Sequence, residues 1–257
     1  MNNDKERIIE HENARWSKIF QDELQKNTKK DFSSYWWENY YIDLTGYVNK
    51  KMLENGYTTI LEAGSGSGKT TILTDNRFHK TLLDISPTAL RYAKYLANKF
   101  DKKDVIFVGG DMFHMPFNDN EFNLVWNIGT VEHYEANDIE LAIREMIRVC
   151  TKDGIVAVGI PNRFSGPILK AWLLKKIKLI PGYKLDTEYF YSATEIQKIF
   201  DRAISISNKK VEYIEVKYFG NPLIIETPKI ILKTIGRLVE HIFPKSKFLI
   251  LVACKLK

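Results

Sequence analysis

A glycine-rich turn set directly behind a short apolar run constrains this chain more than any other feature. The segment reads Leu61-Glu62-Ala63-Gly64-Ser65-Gly66-Ser67-Gly68-Lys69-Thr70. The run before it, 58–61, predicts a strand, and the glycines predict a tight strand-to-helix turn. From there strands and helices alternate. Residues 81–83, 105–108, 122–126 and 155–160 read as further strands. Ser86 and Pro87 open a helix as N-cap and first-turn proline, with apolar positions at Leu90, Tyr92, Ala93 and Leu96. Residues 139–149 read as another helix, broken by Gly154. Such alternation predicts parallel βαβ units with right-handed crossovers and helices on both sheet faces. Open sheets of this kind bind ligands at the carboxyl ends of their strands. Glu62, the glycines, Asp84, Asp111 and Asn127 all fall at such ends.

The flanking segments extend this core. Residues 5–27 and 34–54 have helical apolar spacing and form an expected N-terminal cap, 1–56, ahead of an α/β domain, 57–257. The second helix carries Trp36, Trp37, Tyr40 and Tyr41. Aromatics at helical spacing are usually core, so at least two of the four are expected to pack rather than cap the crevice. Residues 193–203 and 228–242 read as helices, 211–218 as a sixth strand, and 247–254 as a seventh. An insertion at about 163–191 is expected to form a helical lid.

Composition bounds the function classes. A chain of 257 residues with 44% hydrophobic and 27% charged residues suits one α/β domain with insertions. Cys150 and Cys254 share no motif spacing, which argues against a disulfide framework or a metal site and for a reducing cytoplasm. No apolar signal core opens the sequence, and the longest apolar run, 248–254, is too short to cross a bilayer. The net charge of +6 suits nucleic acid, an anionic membrane or an acidic substrate. Its distribution is uneven: Arg163, Lys170, Lys175, Lys176 and Lys178 lie in a stretch without an acid. The leucine, tryptophan and lysine mix of 167–180 fits a peripheral membrane contact, and equally an ordinary amphipathic helix with a solvated lysine face.

Three ligands compete for the glycine turn. Ala63 with Gly68-Lys69-Thr70 meets a relaxed phosphate-loop pattern, in which lysine touches phosphate and threonine holds magnesium. Glu62 argues against it, because a carboxylate beside a triphosphate repels it. A dinucleotide fingerprint needs glycine five residues after its first, where this chain has Lys69 or Thr71. The third ligand is S-adenosylmethionine. Its amino cation favours an acid beside the glycines, which let the backbone approach closely. Asp84, 20 residues after Gly64, then ends the next strand, where a carboxylate can accept both ribose hydroxyls.

Four blocks carry a family resemblance: residues 60–68, Leu83-Asp84-Ile85-Ser86-Pro87, Gly110-Asp111-Met112 with Met115-Pro116-Phe117, and 122–127 running into Val131-Glu132-His133. In this order the chain resembles the class I S-adenosylmethionine-dependent methyltransferases over about 57–162, most like the small-molecule group typified by ubiquinone and menaquinone biosynthesis enzymes. The resemblance implies a Rossmann-like, seven-stranded, mostly parallel sheet, with the seventh strand antiparallel in the edge region. It implies that Glu62, Gly64, Ser65, Gly66 and Gly68 hold the methionine end of the cofactor. Asp84 would bind the ribose, Ile85 would pack on adenine, and Asp111 with the Met112 backbone would meet the adenine edge. Asn127 and Gly129 would line the sulfonium side. Asn123 and Asp153 depart from the family's usual aspartate and glycine at positions away from the cofactor.

His133 follows the fourth strand, where an imidazole can deprotonate an acceptor hydroxyl or amine or simply bond a loop carbonyl. Glu132 and Tyr134 are lesser candidates. The turn after strand four reads Asn127-Ile128-Gly129-Thr130, without the prolines of nucleobase-amine methyltransferases, so a small-molecule acceptor is expected rather than nucleic acid. Two rivals stand: a phosphate-loop nucleotide-binding protein acting through Lys69 and Thr70, and a non-catalytic S-adenosylmethionine-binding module. Nothing in the sequence speaks to oligomeric state.

Overall fold

The computed structural model describes residues 17–18, 20–21, 34–177 and 188–257. Most of the expected helix over 5–27 and part of the insertion lie outside the described residues.

Ser34 starts helix α1 (Tyr35–Glu54) by accepting a hydrogen bond from the Trp37 amide, a cap that satisfies one of the first turn's free donors. Strand β1 (Thr59–Ala63) then runs into the glycine turn and a four-residue helix α2 (Lys69–Ile72). Next come β2 (His79–Asp84) and α3 (Pro87–Lys99), which Ser86 caps through the Ala89 amide as its sequence predicts. The order continues β3 (Val105–Gly109), β4 (Phe122–Ile128), α4 (Ala136–Val149), β5 (Cys150–Pro161), α5 (Gly166–Ile177), α6 (Ala193–Ile206), β6 (Val211–Phe219) and β7 (Leu249–Leu256). Between β6 and β7, residues 229–242 are helical with a π-turn at Leu232–Gly236. No helix among the described residues is long and apolar enough to cross a membrane.

The strands form one sheet in the order β3-β2-β1-β4-β5-β7-β6, with β1 to β5 parallel. Helices cover both faces. Helices α4 and α6 pack on one through Ile143, Met146, Ile199 and Phe200. Helix α1 packs on the other through Trp36, Tyr40, Leu44 and Val48, and α3 extends that layer with Tyr92 and Leu96. Strand order reverses between β1 and β4, so a crevice opens at the carboxyl end of β1, where α/β sheets hold their ligands.

One local expectation changes, at Gly154. Strand β7 is antiparallel and lies in the edge region as expected, between β5 and the edge strand β6. All eight of its residues are buried, as its two apolar faces demand, whereas the edge position goes to β6, whose Glu212, Glu215 and Lys217 tolerate water. Gly154 does not break a helix. It lies within β5, which starts directly after α4, opposite a register shift between Phe122 and Leu124. A Cβ at Gly154 would sit 2.4 Å from Cys150 Sγ and 2.7 Å from the Asn123 carbonyl oxygen, so glycine is there for close approach at a bulge. Asn123 itself fastens the start of β1, its Oδ1 accepting from the Thr58 and Thr59 amides at 3.0 and 3.1 Å.

Gly154→Ala is expected to destabilise the protein by roughly 1–3 kcal/mol, the usual range for overpacking a closed site. Urea denaturation at constant m-value measures it, and an unchanged midpoint would refute the close-approach account.

Candidate functional site

Glu62 is the innermost polar group of the site. Its side chain is fully buried at the end of β1. The glycine turn brings Thr70 back over the strand, and its hydroxyl donates to Glu62 Oε1 at 2.8 Å. Oε2 has no partner among the described residues. Burial pushes the carboxyl up to about 7, against the pull of the Thr70 and Thr71 hydrogen bonds, and the nearby Asp84 charge adds to the rise.

The turn depends on its glycines. Gly64, Gly66 and Gly68 all have positive φ, +66°, +52° and +62°. A Cβ on Gly68 would lie 2.4 Å from Leu82 Cδ1, and one on Gly64 would lie 3.0 to 3.2 Å from Thr130, Asn127 and Met112. The Gly66 amide donates to Asp84 Oδ2 at 2.7 Å, and the Ser86 amide to Asp84 Oδ1 at 2.8 Å. Each Asp84 oxygen therefore keeps a second lone pair for a ligand. Burial raises this carboxyl, opposed by the two amides. The Ser65 hydroxyl is buried and has no partner among the described residues.

The remaining expected residues lie along the same rim. Asp111 Oδ1 accepts from the Phe113 amide at 2.9 Å, which shapes the turn after β3. Met112 is buried behind it, and Ile85, just after β2, is exposed. Asn127 is fully buried and spans the crevice: its Nδ2 donates to the Ala63 carbonyl at 2.6 Å and its Oδ1 accepts from the Val131 amide at 3.1 Å. This side chain ties β1 to the turn after β4. Gly129, with φ +75°, follows it.

A cavity of about 210 Å³ opens beside the turn. Glu62, Ser65, Lys69, Thr70 and Gly129 form the end beside the glycine turn. Its far wall is apolar and aromatic: Trp37, Tyr41, Ile168, Phe248 and Leu249. Trp37 stacks on Tyr41 at 5.8 Å and meets Phe248 edge-on at 5.9 Å. Trp36 and Tyr40 are buried, with Trp36 Nε1 donating to the Leu223 carbonyl at 2.8 Å. The four aromatics thus divide between packing and lining, Tyr40 doing both.

Glu132, His133 and Glu188 supply the cavity's polar floor. Glu132 and His133 sit on a short 3-10 turn, Val131–His133, and both are buried. Tyr189 fixes this turn, its amide donating to the Glu132 carbonyl at 2.7 Å. Burial pushes the Glu132 carboxyl up to about 8, and the Glu188 charge adds to it. Its Oε2 has no partner among the described residues. Asp84, Ile85, Asp111 and Met112 are not among the cavity's lining. They line the rim on the other side of the glycine turn, beyond β1.

The donor set fits S-adenosylmethionine. A buried unpartnered carboxylate oxygen and hydroxyl suit a ligand with its own ammonium and carboxylate, and a glycine cradle admits a close backbone approach. It does not fit a triphosphate: Thr70 is committed to a buried acid, and Lys69 lies 5.5 Å over the Tyr92 ring.

Residues 61–158 match the family model described as "Methyltransferase domain". The chain carries a methyltransferase domain. It is an S-adenosylmethionine-dependent methyltransferase, and S-adenosylmethionine is its cofactor. Its fold is similar to that of magnesium protoporphyrin IX methyltransferase from Synechocystis PCC 6803 with bound SAH, at a TM-score of 0.62 and 13% identity, covering 96% of this chain and 99% of that one. It is also similar to a Thermotoga maritima SAM-dependent methyltransferase described as a possible histamine N-methyltransferase, at 0.56 and 18%, covering 86% and 91%. A third similar structure is the [4+2]-cyclase SpnF, at 0.54 and 16%, covering 83% and 80%. At these identities the likeness is one of fold.

Sequence reasoning about this methyltransferase did not single out Glu188, Ile168, Phe248 or Leu249. They come from the insertion and the last strand, far along the chain from the glycine turn, and no local motif marks them. Glu132 had a signal, its place just after β4.

Asp84→Ala is expected to weaken S-adenosylmethionine binding by about tenfold or more, since it removes charge-assisted acceptors; calorimetric titration reads this, and unchanged affinity would count against the ribose role. The raised carboxyls also set a pH trend. A folded-state value above the unfolded one means that the folded protein holds its protons longer, so stability falls as pH rises from the ordinary carboxylate range to about 8. Cofactor-free protein is expected to melt lower at pH 8.5 than at pH 6, and Glu132→Gln to flatten that slope. A slope unchanged by Glu132→Gln would show that this side chain does not hold the extra proton.

Proposed function

We propose that this methyltransferase acts on a small-molecule acceptor by in-line transfer, with the acceptor held in the aromatic cavity and His133 taking its proton. One observation carries the reading. The cavity is continuous from Glu62 and Ser65 at the cofactor loop to the aromatic wall and the Glu132–His133 turn. A concave, largely apolar site with a few convergent polar groups suits a small molecule.

S-adenosylmethionine supplies a methyl group already activated on a sulfonium. The protein's part is alignment and exclusion of water. Glu62, Ser65 and the glycine turn would hold the methionine end, Asp84 the ribose, and Asp111 with Met112 the adenine side. Trp37, Tyr41 and Phe248 would grip an apolar acceptor body. The Glu132 oxygen would receive an acceptor hydroxyl or amine, which would satisfy its missing partner. His133 would then accept the proton lost on methylation.

Two similar folds bear small-molecule names, the magnesium protoporphyrin IX enzyme and the possible histamine N-methyltransferase. Lipid-like and polyketide-like acceptors would suit the apolar wall.

Calorimetry with S-adenosylmethionine, S-adenosylhomocysteine and magnesium-ATP comes first, then a labelled-methyl screen of phenolic and amine acceptors. Binding of the first two ligands with label transfer supports the reading. Binding without transfer to any acceptor supports a non-catalytic module, and binding of ATP alone returns the argument to Lys69 and Thr70. With an acceptor in hand, His133→Ala is expected to lower kcat by about 10²-fold or more and leave cofactor affinity unchanged.

A further inference from the structure

Residues 229–242 present their apolar side to water. Ile231, Ile235, Leu238 and Ile242 recur at spacings of four, three and four, which places them on one helical face. Ile230, Ile235, Leu238, Ile242 and the following Phe243 are each more than half exposed, Ile230 at 74%. Among the described residues, buried positions of this helix form a narrow seam. Leu232 joins the core cluster under α1, and Gly236 is packed so closely that a Cβ would lie 2.8 Å from Asn221 Nδ2. Apolar exposure concentrated on one ordered face calls for an occupant.

Charge indicates which. Residues 229–247 hold Lys229, Lys233, Arg237, Lys245 and Lys247 against the single acid Glu240. That acid is turned inward, accepting from Asn221 Nδ2 at 2.5 Å with Lys247 3.8 Å away. Lys229, Lys233, Arg237 and Lys245 are exposed. Long cations bordering an apolar arc are placed to reach anionic headgroups while the arc enters the acyl boundary. A protein interface would be expected to lack lysine. Helix α5 abuts this region through the Lys170–Glu226 ion pair at 2.5 Å, and it adds exposed Leu169 and Leu173, with Phe164 just before it.

We propose that residues 229–245, with the outer side of α5, form a docking surface for an anionic lipid bilayer. The surface adjoins the cavity's aromatic wall: Lys229 and Lys233 lie 5.2 and 5.5 Å over the Tyr35 ring, two residues from Trp37. The proposal does not depend on the methyl-transfer reading, because lipid binding is measured without cofactor or acceptor.

The test is flotation of the full chain with vesicles of phosphatidylcholine alone and of phosphatidylcholine with phosphatidylglycerol, at low and high salt. Three variants are compared: Ile235→Ser with Leu238→Ser, Lys233→Glu with Arg237→Glu, and Leu141→Ser on α4 as an exposed apolar control. Each variant is first checked for an unchanged melting curve. The expected result is binding to the anionic vesicles, weakened by salt and at least about tenfold by each of the two double variants, with the control unaffected. No flotation with anionic vesicles at low salt overturns the proposal, as does flotation indifferent to both double variants. A dimer in light scattering that Ile235→Ser with Leu238→Ser dissolves, in protein that does not float, would assign the face to a second copy instead.

Discussion

The buried Glu62 carboxylate, bridged to Thr70, is the interaction on which the site's geometry depends. It stands at the carboxyl end of the strand where the sheet order reverses, with β2 on one side and β4 on the other. The turn that leaves this strand must bring Thr70 back over it within eight residues, and three left-handed glycines make that path accessible. The same path delivers the Gly66 amide to Asp84 on β2. The loop is thus held between two acids on neighbouring strands. Neither acid is paired with a cation in its hydrogen bonds among the described residues, and burial raises both carboxyls above their ordinary range. A ligand that brings its own ammonium relieves this arrangement, and one that brings phosphates aggravates it. The choice between cofactors that share a glycine-rich turn therefore comes down to one carboxylate.

Asn127 does for the β4 side what Glu62 does for β1. Its amide joins the last carbonyl of β1 to the first amide of the 3-10 turn, and so sets where Glu132 and His133 stand relative to the glycine turn. The cavity floor is a consequence of that clamp. A second buried acid then appears at the far end, Glu132, again with an unpartnered oxygen. Such groups cost stability in the empty protein, and they are placed where a bound molecule would be. The stability of the fold comes from elsewhere, from the strand faces packed under α1 on one side and α4 and α6 on the other.

Much of this was legible in the sequence because the decisive features are local. Ser86 and Pro87 announce a helix start, and Glu62 to Gly68 announce a strand followed by a turn. Strand alternation then fixes the sheet class, and with it the rim on which Asp84 and Asp111 meet the glycine turn. What was not legible is long-range or depends on burial. Gly154 resembles a helix breaker in one dimension, while in three it makes room for Cys150 and the Asn123 carbonyl. The position of β7 inside the sheet follows from two apolar faces that need cover, yet no pattern in 249–256 names its neighbours. Phe248 and Ile168 reach the cavity from segments 100 residues or more beyond Gly68. The exposed face of 229–242 could not be told from a core face, since spacing gives a stripe and not the direction it points.

The charge of the chain illustrates the same limit. A net charge of +6 invites an acidic ligand, yet the cavity is lined by Glu62, Glu132 and Glu188 against Lys69 and His133. An anionic acceptor would enter a cavity whose own acids already resist ionisation. Among the described residues, basic side chains lie instead on the outside, around the apolar face of 229–245. Net charge is an average over surfaces that do different work. Here the interior favours a neutral or cationic acceptor, while the exterior favours an anionic surface. The two preferences are compatible because the cations are exposed on the helix beside Tyr35, while the acids line the cavity.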